Sequence, residues 1–190
     1  MILSAVDPER FAWLFEDPPR PPSGAERTIA LRWTAGMKAS AETSTGRRGE
    51  SSTRQEAAVR QLLTNKDFVE VPARPVDVTG APLQAGQFMR EAAVVGIKCD
   101  VPVALRDGRL LLLECKVSNS ATNSVKRLNR ETGGKARDWN RQFGERAITG
   151  AVLAGVFKLR NLKTAQAGGV AIYWDRELDA LAEFLAAAIP

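Results

Sequence analysis

Residues Ile97 to Val117, IKCDVPVALRDGRLLLLECKV, constrain this chain more than any other stretch. Two runs rich in β-branched and apolar residues, Ile97–Leu105 and Leu110–Val117, flank Arg106-Asp107-Gly108, which has the composition of a hairpin turn. The second run is apolar through four leucines until it meets Glu114 and Lys116. Side chains alternate along a strand, so these two point to the same face. An acid and an ammonium at the end of a buried strand cost solvation free energy unless they pair, bind a metal or act on a ligand. Asp100, in the partner strand, is a second carboxylate within reach of that face. Two acids beside a lysine make a magnesium site next to a cation.

Register decides whether that site exists. With a two-residue turn at Asp107-Gly108, Asp100 would oppose Cys115 and face away from Glu114, because opposed residues share a face. With a three-residue loop, Leu105 pairs with Arg109 and Asp100 opposes Glu114, Cβ atoms ~5 Å apart. Such a loop needs glycine in the left-handed region at its third position, where Gly108 stands. A bulge at Pro102 would supply the odd residue in another way. The expectation is therefore Gly108 at positive φ or a bulge near Pro102.

Asp100, thirteen intervening residues and Glu114-Cys115-Lys116 spell the D-xn-(D/E)-x-K pattern of the PD-(D/E)xK nucleases. The residues that follow extend the likeness: ECKVSNSATNSVKRLN resembles the XamI-type family of type II restriction endonucleases. The resemblance runs from about Ser52 to Trp174 and is densest at Lys98–Asn129. Cys99 departs from it, standing before Asp100 where the superfamily name has proline. The resemblance implies an α/β restriction-endonuclease-like fold, a central mixed β-sheet flanked by helices. It also implies a Mg2+-dependent, site-specific double-stranded DNA endonuclease that leaves 5′-phosphates and works as a homodimer on a palindromic site. Asp100 and Glu114 would be metal ligands, with Lys116 orienting or deprotonating the attacking water. The plainer alternative for Glu114 and Lys116 is a salt bridge at a strand end.

The chain has no histidine. That excludes Ser-His-Asp and Cys-His hydrolases, histidine-ligated zinc and any nuclease with a histidine base. Acid–base and metal chemistry must then run on carboxylates, lysine and water. Two cysteines, Cys99 and Cys115, are too few for a zinc cage and read as free, buried small residues. A net charge of +5 suits a polyanion partner without requiring one. No long apolar run and no leader-like segment is visible, so the expectation is a cytoplasmic protein without a membrane partner.

Along the chain, residues 1–50 read as an N-terminal helical arm and 51–190 as the nuclease core. The arm holds an aromatic segment, Pro8–Phe15, a stiff Pro18–Pro22 stretch and a helix over Ala25–Ser44, with Ile29, Trp33 and Met37 on one stripe. Thr43–Thr53 reads as a polar loop capping a helix from Thr53 to Leu63. Glu56, in the first turn of that helix, either complements its dipole or lends a third acid to the catalytic set, as the first helix of this superfamily often does. A short strand follows at Asp67–Val71. Beyond the central hairpin, a helix over Asn123–Glu131 is interrupted at Gly133-Gly134 and resumes to Arg146, with Trp139 and Phe143 inward. Ala151–Phe157 and Val170–Trp174 are strands, and Arg176–Ala188 is an amphipathic helix.

Ser118, Asn119, Asn123 and Ser124 offer small donors and acceptors to phosphates or base edges, and Lys126, Arg127 and Arg130 a basic face to the DNA backbone. Loop and cap chemistry, or a solvated basic surface, would explain the same residues without a ligand. Two other readings stay open: a different PD-(D/E)xK nuclease (repair or junction-resolving), and a non-catalytic DNA-binding module on the same fold.

Overall fold

A computed structural model describes residues 7–80, 82–118 and 125–189. The chain divides into two units, Met1–Gly49 and Glu50–Pro190, and the division falls inside helix α1 (Gly24–Asn65). That helix continues through the expected loop at residues 43–53. No proline occurs within it. Interior glycines and Ser/Thr residues cost at most about 1 kcal/mol each against alanine, too little by themselves to stop a long helix. The expected capping loop therefore does not exist, and Glu56 sits deep inside a helix rather than in a first turn. Its dipole reading falls with that.

In the first unit, Trp13 is buried on a short 3-10 turn, Ala12–Leu14. The Ile29, Trp33 and Met37 stripe is more than half exposed.

The second unit is an α/β sandwich. Its six-stranded mixed sheet has the order β1 (Val69–Glu70), β2 (Gln87–Phe88), β5 (Val101–Ala104), β6 (Leu110–Ser118), β7 (Ala147–Gly155), β8 (Val170–Trp174). β6, β7 and β8 are parallel to one another, and β5 is antiparallel to β6. The expected strand Ile97–Leu105 is in fact two. β4 (Ile97–Cys99) pairs with β3 (Ala92–Val94) in a separate two-stranded sheet, and the chain bends at Asp100 before entering β5.

Alternation along β6 sorts the core. Leu111, Leu113 and Cys115 join Val59 and Leu63 of α1 with Leu181 and Leu185 of α4 (Asp179–Ala187). Leu112 faces the other way, toward Trp139 of α2 (Gly133–Phe143). Ala151 and Leu153 of β7 complete that second face with Leu128, with Ala136 of α2 and with Ala165 of α3 (Leu159–Ala167). Each buried Leu stabilises the fold by roughly 1.5–3 kcal/mol relative to exposure.

Gly133-Gly134 does not break the helix that links β6 to β7. The winding changes there instead, from a π-helix over Val125–Thr132 to α2. Thr132 Oγ1 donates to Arg127 O, five residues back, 3.1 Å away. π-helical turns are rare and concentrate at functional sites.

Candidate active site

The hairpin has the expected three-residue loop. Gly108 has φ +86°. Gly108 N–H donates to Leu105 O at 3.1 Å, and Leu105 N–H to Arg109 O at 2.8 Å. Val101 opposes Leu113 and Ala104 opposes Leu110. Continued by one residue, that register sets Asp100 opposite Glu114, with no bulge at Pro102.

Glu114 and Lys116 lie on the face covered by α2, beside Ala151 and Leu153 of β7. All three charged groups are buried: Asp100 is 8% exposed, Glu114 0% and Lys116 9%. Lys116 Nζ bridges them, 2.9 Å from Asp100 Oδ2 and 2.8 Å from Glu114 Oε2. Asp100 Oδ2 also accepts the Cys115 N–H at 2.8 Å, which fixes the carboxylate against β6. Burial alone would push the Lys116 ammonium toward losing its proton. The charges of Glu114 and Asp100 outweigh that and raise its pKa above the ordinary lysine value. In this state Lys116 is a donor and a positive charge, not a base.

A second ammonium reaches the same acid. Lys135, in the first turn of α2, donates to Glu114 Oε2 at 2.7 Å and to Lys98 O at 2.6 Å. Its Nζ lies 5.9 Å from the centre of the Trp139 ring. Lys135 is not singled out by the sequence reading above, although a signal was present. Trp139 faces inward, and a residue four positions earlier shares its helix face.

Glu56, on α1, is close enough for the charge of Asp100 to act on it. Its pKa is raised, first by burial and next by the charge of Asp100, against a 3.2 Å hydrogen bond from Ser52 Oγ that lowers it. Ser118 is buried, and its carbonyl accepts the Val156 N–H at 2.8 Å, so it closes the end of β6. Asn119, Asn123 and Ser124 lie outside the described residues. Lys126 and Arg130 are exposed and Arg127 is half-buried, all on the π-helix. Cys99 and Cys115 are free and buried, and burial pushes both thiols up, away from reactivity.

One carboxylate oxygen of the site, Glu114 Oε1, is buried with no hydrogen-bond partner. Leaving such an atom unpaired costs free energy that a cation would recover. Among the described residues, no three histidine, cysteine, aspartate or glutamate side chains group closely enough to cage an ion. Two opposed carboxylates, one with a bare oxygen, fit a magnesium ion, which keeps several waters and takes few protein ligands.

The sequence model of the XamI restriction endonuclease family matches residues 1–174. The type II restriction enzyme XamI of Xanthomonas campestris pv. amaranthicola is 40% identical over 144 residues, 76% of this chain and 52% of that protein. The chain thus spans about half the length of the curated relative it matches. No helix among the described residues is long and apolar enough to cross a membrane. With the family's model matching residues 1–174 of the chain's 190, and the hairpin bringing Asp100, Glu114 and Lys116 together, this chain belongs to the XamI restriction endonuclease family.

Proposed function

We propose that this chain is a magnesium-dependent, site-specific endonuclease of double-stranded DNA that hydrolyses phosphodiesters to leave 5′-phosphates and acts as a homodimer. The observation that carries it is Lys116 Nζ standing within 2.9 Å of both Asp100 and Glu114, just beyond the Val101–Leu113 pair of β5 and β6. Asp100 and Glu114 would hold Mg2+, and Glu56 would act on the site through its charge near Asp100 rather than as a third ligand. When bound, the ion polarises the phosphate and lowers the pKa of its water. The residues of the chain do the rest. Lys116, held protonated, offsets charge on the phosphoryl group in the transition state and orients the water. Burial under α2 excludes bulk solvent, so these charges act at low dielectric.

Lys126, Arg127 and Arg130 would track the DNA backbone, and Asn119, Asn123 and Ser124 would reach phosphates or base edges. Ser118 would fix where that segment leaves β6. Residues 51–190 would form the nuclease core and 1–50 an N-terminal helical arm. The test is digestion of a plasmid with and without Mg2+, followed by sequencing of the ends. Discrete 5′-phosphorylated ends at one repeated sequence support the reading. An intact plasmid, or random nicking, sinks it.

A further inference from the structure

Lys135 is a charge that the proposed chemistry does not use. Counted over the groups that touch one another, Asp100 and Glu114 carry two negative charges, and Lys116 and Lys135 two positive ones. The cluster is neutral as it stands. A divalent ion on the same carboxylates would leave an excess of two positive charges in a buried place, a costly arrangement unless anions arrive with it. DNA phosphates are such anions.

The two lysines are not equivalent. Lys116 keeps a second carboxylate, Asp100, if it gives up Glu114. The other partner of Lys135 is an uncharged backbone carbonyl, Lys98 O. Its side chain is also the more exposed, 21% against 11%, and it is rooted in the first turn of α2. A flexible four-carbon stem with an ammonium at its tip can change partner at small cost. Both ammoniums sit on Glu114 Oε2, while Oε1 has none. An ion entering at Glu114 therefore meets a carboxylate that is already neutralised.

Resting on the nuclease reading above, we infer that Lys135 couples ion binding to DNA binding. Its ammonium holds Glu114 in the DNA-free protein and passes to a DNA phosphate when a divalent ion takes that carboxylate. Each ligand then makes room for the other, and by linkage the effect is reciprocal.

The test is calorimetric titration of Mn2+ into DNA-free wild type, Lys135→Gln and Lys135→Met. Removing the competing charge should tighten ion binding by about tenfold, within the usual span of such couplings. A short duplex should tighten ion binding to the wild type and do so much less in the variants. A merely structural tie of α2 to the sheet gives the opposite sign, because losing it loosens the site and weakens ion binding. Unchanged or weaker Mn2+ binding in a variant that still melts cooperatively overturns the inference. So does failure of both variants to fold, which would make Lys135 a structural tie. A wild type that binds Mn2+ but no DNA would instead sink the nuclease reading, whatever Lys135 does to ion affinity.

Discussion

Lys116 Nζ stands 2.9 Å from Asp100 Oδ2 across the bend between β4 and β5, and both groups are buried. The pair joins the two sheets to the site. Removing one member of a buried ion cluster strands the charges left behind, at a cost of roughly 3–5 kcal/mol. Lys116→Ala should therefore lower stability by about that much in metal-free buffer, read by urea denaturation. Added Mg2+ should recover part of the loss, since it supplies positive charge to the same carboxylates. A melting curve indifferent to both changes would show the cluster to be energetically idle.

Asp100→Asn and Glu114→Gln keep shape and remove charge. Each should cut cleavage by on the order of a hundredfold or more, as expected when electrostatic stabilisation of a transition state is removed. Near wild-type cutting by Glu114→Gln in a plasmid assay would be incompatible with the proposed site.

Glu56 gives a pH signature. Burial and then Asp100 raise its folded-state pKa above the ordinary value, so the folded chain holds a proton that the unfolded chain releases first. Stability is then lost as pH rises from the unfolded pKa through the folded one. Glu56→Gln should raise the melting temperature slightly at pH 7, and the difference should vanish below about pH 4, where both forms are neutral. The gain is small because the side chain is only half-buried, so solvent screens part of the effect. A larger gain at pH 4 than at pH 7 would reverse the sign and refute the account. Cleavage by this variant should slow without stopping.

If Lys126, Arg127 and Arg130 touch phosphates, the triple alanine variant should weaken binding to all duplexes alike. The slope of log K against log salt should become shallower by about three units, one for each phosphate no longer neutralised. The same slope in both proteins would leave the basic face as solvated surface.

Two glycines separate strain from collision. At Gly108 (φ +86°) an added Cβ meets nothing within 4 Å, so Gly108→Ala should cost only backbone strain, about 1 kcal/mol, with cleavage retained. At Gly155 (φ +95°) the added Cβ would lie 2.2 Å from Ser118 O. Gly155→Ala must displace the end of β6, two residues beyond Lys116, and should lose most activity even where the protein still folds. Equal effects of the two substitutions on cleavage would contradict that difference.

The part of the site written in short-range chemistry was legible. Gly108 fixes the turn, the turn fixes the register, and the register sets Asp100 opposite Glu114. β8 followed from its apolar run, and the buried strand beside β6 followed in part: β7 starts four residues before the expected Ala151 and ends two before Phe157. What failed were judgements of where helices stop. Residues 43–53 look like a loop by composition, but composition only biases a backbone that no proline interrupts. Gly133-Gly134 likewise marks a change of winding rather than an end. Lys135 escaped because a lysine reads as surface until its helix face is known. The bend at Asp100 escaped because Ile97–Leu105 is uniformly strand-forming, and nothing local says that its two halves pair with different partners.

That bend bears on the residue before Asp100. Cys99 opposes Ala92 in the β3–β4 hairpin, two pairs beyond the closing pair Val94 and Ile97. Antiparallel pairs alternate, so Cys99 and Ala92 form a pair that exchanges main-chain hydrogen bonds. Proline has no N–H to give there. Where the superfamily spells its acid with a leading proline, this chain turns at the acid by handing it from one sheet to another, and the hairpin requires an amide at position 99. A search for the letters P-D would pass over this site, while a search for an acid at the seam between two sheets would find it.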